Sequence, residues 1–265
     1  MSSMLVMSEN RLKRRQILDL LGELEAASGE AGSLYLPPDS PAGEIAELAS
    51  KVLGPEPVTL DLARVLSSRT GAVLFWGESY RLVVLPPFPI KGKTIFAGYF
   101  VAPLRTMLEA EFTIGLVLLR LGAYAVGVFQ GEKLVASKVG TGLVHARHRQ
   151  GGSSQARFAR HREKQMEAFF SRVCGHMREQ IEPYLGRLDY LVYGGERFTL
   201  AEFQKQCPFS KLVAGRSLPY RLDVRRPRQA TLEAAIAQVW TSRVIRWQES
   251  PEKPALPCQT PGKRY

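Results

Sequence analysis

The 265-residue chain contains few of the residues that build disulfide-stapled or zinc-binding proteins, with only three cysteines and four histidines. Cys174, Cys207 and Cys258 are odd in number and too far apart for a CxxC pair. We therefore expect neither a disulfide framework nor a structural zinc site, and a reducing cytosol suits this composition. His145 and His148 lie among arginines, which repel a cation. The sequence thus predicts no metal site and no cofactor.

Long apolar runs are also missing from the sequence. The most apolar stretch, Thr113–Phe129, is too short to span a membrane and is interrupted by Arg120 and Gly122. The first seven residues are too few for a hydrophobic signal core, and basic residues follow from position 11. We expect a soluble, cytoplasmic monomer that does not contact membranes.

Charge is abundant but unevenly distributed, and the net charge is +11. Residues 1–112 hold 11 basic and 13 acidic residues, a net charge of −2, whereas residues 113–265 hold 25 and 12, a net charge of +13. This asymmetry favours a second domain that faces nucleic acid, joined to a nearly neutral first domain. The alternative is a basic surface that only keeps the protein soluble.

The first part of the chain, residues 1–112, has the pattern of a small α+β domain. A helical stripe begins at Ser8, and a short strand, two helices and a hairpin follow. The predicted elements are a strand at Ser33–Leu36, helices at Ala42–Val52 and Thr59–Ser67, and paired strands at Ala72–Trp76 and Tyr80–Leu85.

Residues 113–247 predict an α/β domain with a mixed sheet and flanking helices. Three strands joined by short glycine turns form a β-meander at Thr113–Leu121, Tyr124–Gln130 and Lys133–Val139. A loop over 140–155 then leads into a long helix from about Ser154 to Glu182. Further elements are expected at Leu188–Val192, Leu200–Gln206, Leu218–Val224 and Leu232–Trp240. The Pro- and Lys-rich residues 248–265 predict a disordered tail.

The loop combines flexibility with cations. Gly151, Gly152, Ser153, Ser154 and Gln155 follow one another, and the flanking basic residues are Arg147, His148 and Arg149 before them and Arg157, Arg160 and Lys164 after them. Glycine lets a loop approach a ligand closely, and arginine binds phosphate. The alternative is a plain flexible linker whose serines only cap the helix.

The order of these elements resembles a known family. From Thr113 to about Arg243, the meander, the Gln-tipped loop and the helix containing Arg157-Phe158-Ala159-Arg160 are similar to the catalytic middle domain of the eukaryotic and archaeal class I release factors. Their loop ends in Gly-Gly-Gln, whereas two serines separate Gly152 from Gln155 here. This Gly-x-x-Gln pattern resembles the Vms-like release factors, which are peptidyl-tRNA hydrolases of ribosome-associated quality control.

The resemblance implies a codon-independent hydrolase that acts on peptidyl-tRNA in stalled large ribosomal subunits. Gln155 would be the principal catalytic residue, either through its backbone N–H at the oxyanion or through its side chain on the attacking water. Gly151 and Gly152 would let the loop enter the ribosomal active site, and Ser153 and Ser154 would cap the helix. The basic residues on both sides of the loop would hold RNA.

Two other functions remain open from the sequence. One is an endonuclease that cuts the acceptor end of tRNA, although the sequence offers no carboxylate pair for a metal. The other is a non-catalytic, Pelota-like rescue adaptor that binds RNA. Gln155 distinguishes the adaptor from a hydrolase, because an adaptor does not need this residue. A nuclease would differ from a hydrolase in its products, because the released chain would still carry a nucleotide fragment.

Overall fold

The computed structural model describes residues 5–54, 59–143 and 155–249. In this part of the chain the strands are β1 (Leu5–Leu12), β2 (Ala31–Leu36), β3 (Ala72–Gly77), β4 (Arg81–Leu85), β5 (Thr94–Ala97), β6 (Thr113–Arg120), β7 (Ala123–Gln130), β8 (Lys133–Thr141), β9 (Leu188–Gly195), β10 (Ser217–Leu222) and β11 (Ser242–Glu249). The α-helices are α1 (Arg14–Ala26), α2 (Ala42–Leu53), α3 (Leu60–Leu66), α4 (Ala102–Glu109), α5 (Gln155–Ile181), α6 (Arg197–Gln206), α7 (Pro208–Leu212) and α8 (Gln229–Val239).

The first sheet has six strands in the order β1-β11-β4-β3-β2-β5, and all of its pairings are antiparallel. Successive residues of a strand point to opposite faces, so Val73 and Phe75 pack with α1 and α4, whereas Leu74 packs with α2 and α3. Helices therefore cover both faces of this sheet.

The second sheet is mixed, with the strand order β10-β9-β6-β7-β8. β10, β9 and β6 are parallel, whereas β6, β7 and β8 form the antiparallel meander. Thr113 to Leu119 of β6 are all buried, because α5 and α6 cover one face of the sheet and α8 covers the other. The predicted fold class, a mixed α/β sheet with flanking helices, is confirmed.

Two strands at opposite ends of the chain depart from the predicted elements. Residues 5–12 form β1, and the first helix begins at Arg14 rather than at Ser8. β11 pairs with β1 and β4, so residues 242–247, which the sequence placed in the second domain, complete the first sheet. Residues 248 and 249 of the predicted tail belong to β11. The two-domain boundary stays a prediction, and residues 250–265 lie outside the described residues.

The cysteine expectation is wrong for one pair. Cys174 of α5 and Cys207, between α6 and α7, form a disulfide with their Cα atoms 5.5 Å apart. The two residues are 33 positions apart in the sequence, and only the packing of α5 against α6 and α7 brings them together.

An aromatic cluster joins the loop after β4 to the second sheet. Phe88 stacks on Tyr190 at 4.7 Å between ring centroids and meets Trp240 edge to face at 4.8 Å. The guanidinium of Arg14 lies 4.1 Å from the ring centroid of Trp240 and donates to the carbonyl oxygens of Leu108 and Ala110. This arginine therefore ties α1 to the segment that leads into β6. Among the helices of the described residues, none is long and apolar enough to cross a lipid bilayer.

Candidate functional site

Gly142, next to the end of β8, packs against Phe169 in the middle of α5. The N–H of Gly142 donates to the carbonyl oxygen of Gly122 at 3.0 Å, which closes the end of the meander. A Cβ on Gly142 would lie 2.6 Å from Cδ2 of the buried Phe169 ring. Arg172 of α5 donates to the Thr141 carbonyl oxygen at 3.2 Å. These contacts fix the end of β8 against the middle of α5.

Tyr124 packs against the contact between the end of β8 and α5. Its ring stacks on His176 at 5.7 Å and meets Phe169 edge to face at 6.1 Å between centroids. Its hydroxyl fits against Gly140, where a Cβ would collide with it. Burial raises the pKa of the Tyr124 hydroxyl above its ordinary value. Neither Tyr124 nor Gly142 was predicted as part of the site, although the Gly140-Thr141-Gly142 pattern signals a close approach of the backbone.

Helix α5 has two halves of different character. From Phe169 onward its apolar side chains recur at helical spacing and are buried, among them Val173, Met177 and Ile181. Before Phe169, the side chains that the structure describes are exposed or half-buried. The first 14 residues of the helix, about 21 Å at the α-helical rise, therefore extend from the packed half with no described side chain fully buried, and Met166 packs only partly against the core.

The predicted cations lie on one side of this free half. Arg157, Arg160 and Lys164 are all exposed, and their spacing places them within about 60° of one another around the helix. None of the ion pairs among described residues involves these three side chains. Their charges are therefore available to an external anion.

The remaining predicted site residues fall on the loop. Arg147, His148, Arg149, Gly151, Gly152, Ser153 and Ser154 lie outside the described residues. Gln155 is the first residue of α5, one residue after the predicted start near Ser154. The structure thus brings Gln155, Arg157, Arg160 and Lys164 together on the free half of α5. Within the described ranges, there is no group of three or more side chains that could hold a metal ion.

The turn after β9 lies at the same edge of the sheet. Gly195 has φ = 130°, and a Cβ there would collide with the Leu119 carbonyl oxygen. Glu196 caps α6 by accepting hydrogen bonds from the N–H groups of Phe198 and Thr199. Hydrogen bonding from the Thr199 hydroxyl, followed by these N–H groups, holds the pKa of Glu196 below its ordinary value. This geometry agrees with a structural turn rather than a catalytic one.

A mixed sheet whose last meander strand leads through a basic, Gln-tipped loop into an Arg-rich helix is the arrangement expected of a release-factor domain. A sequence model of the family described as the Actinobacteria/chloroflexi VLRF1 release factors matches residues 112–245, about half of the chain, and the chain belongs to this family. The family assignment confirms the resemblance that the loop and helix indicated, and places the protein among the release-factor-like proteins of translation termination and rescue.

Curated relatives agree with this assignment. Peptide chain release factor subunit 1 of Archaeoglobus fulgidus is 31% identical over 117 residues, which cover 44% of this chain and 29% of the relative. The corresponding protein of Aeropyrum pernix is 26% identical over 257 residues, 82% of this chain and 65% of the relative. The chain thus spans less than two thirds of the length of both relatives. The crystal structure of the archaeal translation termination factor aRF1 is similar with a TM-score of 0.38 and 20% identity, over 86% of this chain and 73% of that one.

Proposed function

We propose that this protein is a codon-independent peptidyl-tRNA hydrolase that works in the cytoplasm and releases nascent chains from stalled large ribosomal subunits. The observation that carries the proposal is the start of α5 at Gln155, directly after the glycine- and serine-containing loop. Membership of a release-factor family supports the reaction class.

The first residue of an α-helix has a backbone N–H without an intrahelical acceptor. The N–H of Gln155 can therefore donate to an external oxygen, and the positive end of the helix dipole favours negative charge there. Hydrolysis of the peptidyl ester passes through a tetrahedral oxyanion, and a donor aimed at that oxygen lowers the barrier by roughly 3–4 kcal/mol.

The Gln155 side chain is neutral and is a weak general base. We propose that it orders the attacking water, while the proton leaves through water or through the ribose hydroxyl of the substrate. Gly151 and Gly152 would give the loop its narrow profile, and Ser153 and Ser154 would cap α5. Gln155 then acts mainly by positioning the reactants.

The exposed face formed by Arg157, Arg160 and Lys164 supports binding to RNA. These side chains carry three positive charges about 5 Å or more apart on one helix face and are free of ion pairs with described residues. Arg147, His148 and Arg149 would extend the contact from the loop. We expect the affinity for large ribosomal subunits to fall steeply as salt increases.

The decisive experiment measures release of a labelled nascent chain from isolated complexes of peptidyl-tRNA with large subunits. Wild type is compared with Gln155→Ala and with Gln180→Ala, which removes the same amide from the other end of α5. We expect wild type and Gln180→Ala to release the chain and leave tRNA with an intact CCA end, and Gln155→Ala to be strongly impaired.

Other outcomes would identify other functions. Shortened tRNA would indicate a nuclease that cuts the acceptor end. Binding without release by wild type would leave a non-catalytic, Pelota-like adaptor. A complete loss in Gln155→Ala would assign the essential role to the side chain or the loop geometry, whereas a partial loss would assign it to the backbone N–H that alanine retains.

A further inference from the structure

A second group of arginines lies where the three parallel strands of the second sheet end. Arg120 ends β6, Arg197 follows β9, and Arg221 lies in β10. Just beyond β10, the segment before α8 adds Arg225, Arg226 and Arg228. Carboxyl ends of parallel strands meet at one edge of a sheet, so residues from three separate parts of the sequence converge there.

This segment is held in a defined conformation. Arg120 donates from Nε to the Val224 carbonyl oxygen at 2.8 Å, and the Thr231 hydroxyl donates to the Arg226 carbonyl oxygen at 2.8 Å. Val224 and Pro227 are buried, whereas Arg225, Arg226 and Arg228 are exposed. The buried positions anchor the backbone and leave the three arginines in solvent.

These arginines are not neutralised by the described part of the protein. None of its ion pairs involves Arg197, Arg225, Arg226 or Arg228. Two acids adjoin this edge in the sequence: Glu196, whose carboxylate is engaged in the cap of α6, and Asp223. The edge therefore carries a net positive charge, and no ion pair with a described residue neutralises these four arginines.

An exposed aromatic ring follows β9 at this edge of the sheet. Phe198 is 79% exposed and belongs to the first turn of α6, next to Arg197. Its N–H bonds to Glu196, which links it to the turn at the end of β9. An exposed ring at a sheet edge that also carries exposed arginines is a combination on which proteins stack unpaired bases while they neutralise the phosphates.

The strand register relates this edge to the loop. Gly194 of β9 pairs with Leu222 of β10, Gly195 pairs with Leu119 of β6, and Ala123 of β7 pairs with both Arg120 and Thr141. The arginines and the start of the loop thus lie along one edge of the sheet. Four strand spacings separate β10 from β8, a distance of about 19 Å.

We propose that Arg197, Phe198, Arg225, Arg226 and Arg228 form a second RNA-binding surface, which we call the arginine edge. It takes the phosphates of a single-stranded or irregular RNA segment and stacks one unpaired base on Phe198. The choice of RNA as the partner rests on the proposed function, because an RNA-rich site would surround the loop at a distance of this size. The arginine edge orients the protein, whereas Gln155 acts on the ester.

The test measures binding of the full chain to isolated large ribosomal subunits and to a labelled single-stranded RNA oligonucleotide over a range of salt concentrations. Arg225→Ala, Arg226→Ala and Arg228→Ala are combined in one variant. Because three phosphate contacts are lost, we expect the slope of log K against log salt concentration to become shallower by about 2. The matched control combines Lys51→Ala, Arg64→Ala and Lys91→Ala, which removes three exposed charges from the first part of the chain and is expected to bind as wild type does.

Variants of Phe198 test the stacking contact separately. Phe198→Leu keeps an apolar side chain but removes the ring, so we expect oligonucleotide affinity to fall by roughly 5- to 150-fold. Phe198→Tyr keeps the ring and should retain the affinity. Because Phe198 is 79% exposed, both variants should unfold at the wild-type denaturant concentration, which separates a binding effect from a folding defect.

Loss of binding in the triple arginine variant, with binding retained in the control, would support the arginine edge. An unchanged salt slope in the triple variant would overturn the arginine edge. The proposed function would still stand in that case if the wild-type protein released nascent chains and Gln155→Ala did not. Equal losses in both triple variants would also overturn the arginine edge, because general charge would explain the binding. Binding to poly-glutamate as strong as to the oligonucleotide would replace RNA by an acidic protein as the partner.

Discussion

Replacing Gly142 with alanine is expected to displace the middle of α5, because the new Cβ would lie 2.6 Å from the Phe169 ring. Carbon atoms in contact are ordinarily separated by at least about 3.5 Å, so the ring has to retreat by about 1 Å. Phe169 is buried among Tyr124, Phe170 and its other neighbours, which leave it little space. Overpacking of this kind lowers the free energy of unfolding by about 1–3 kcal/mol.

The displacement is larger at Gln155 than at Phe169. The helix runs about 18 Å from Ile181 to Phe169 and about 21 Å further to Gln155. If α5 tilts about its fixed end at Ile181, a shift of about 1 Å at Phe169 becomes about 2 Å at Gln155. Misplacement of a reacting group by about 1 Å can lower a rate by about 100-fold. We therefore expect release of the nascent chain to fall by at least this factor, while urea unfolding still shows a cooperative transition.

Two further variants make this result interpretable. Gly175→Ala also adds a methyl group to α5, but nothing lies within 4 Å of its position, so it should stabilise the helix by about 0.5–1 kcal/mol and leave release unchanged. Phe169→Leu, added to Gly142→Ala, removes the colliding ring atoms and should restore part of the rate. Gly142→Ala with wild-type stability and wild-type release would refute the role of this contact.

Three other predictions follow from the described contacts. Reducing the disulfide, or replacing Cys174 and Cys207 with serine, should lower the free energy of unfolding by roughly 3–4 kcal/mol, because the bridge closes a loop of 33 residues. Urea unfolding curves measure this difference, and curves that coincide with and without reductant would contradict the bridge. Glu196→Gln should lower the melting temperature above about pH 4.5, the region where the unfolded carboxyl is ionised. Since the folded pKa of Glu196 is depressed, the difference from wild type should vanish as the pH falls through that pKa, and a difference independent of pH would argue against the charged cap. Arg14→Lys should lower the free energy of unfolding by about 1.5–3 kcal/mol, because lysine cannot donate to two carbonyl oxygens and stack on Trp240 together; a lysine variant as stable as wild type would show that charge alone suffices.

The sequence predicted the second sheet better than the first because its signals are local. Short glycine turns at Gly122 and Gly131 define the meander, and both glycines have the positive φ that such turns require. The apolar residues Phe169, Val173, Met177 and Ile181 of α5 repeat at helical spacing, and all four side chains are buried. The start of the helix was also predicted to within a residue, because small polar residues precede a run of strong helix formers.

Long-range pairings were not predictable in the same way. β1 contains Ser8, Glu9 and Asn10, which give no strand signal, and it is a strand because β11 pairs with it from the other end of the chain. The contact between Cys174 and Cys207 likewise depends on how α5 packs against α6 and α7. Arg225, Arg226 and Arg228 could be read as basic residues from the sequence, but only the sheet order places them beside Arg197 and Phe198.

The first half of α5, residues 155–168, can stay helical outside the hydrophobic core because it extends a helix that is already packed. Forming the first turn of a helix is unfavourable, but extending an existing helix requires only residues of good propensity. The packed half from Phe169 to Ile181 provides the existing helix, and residues 155–168 contain no glycine, proline or β-branched residue to interrupt it. The first turn of α5 also contains no acidic residue, and Arg157 and Arg160 lie near its positive end. These cations oppose the helix dipole in the free protein. A phosphate bound there would relieve that repulsion, so the same charges that weaken the helix end in isolation would strengthen its contact with RNA.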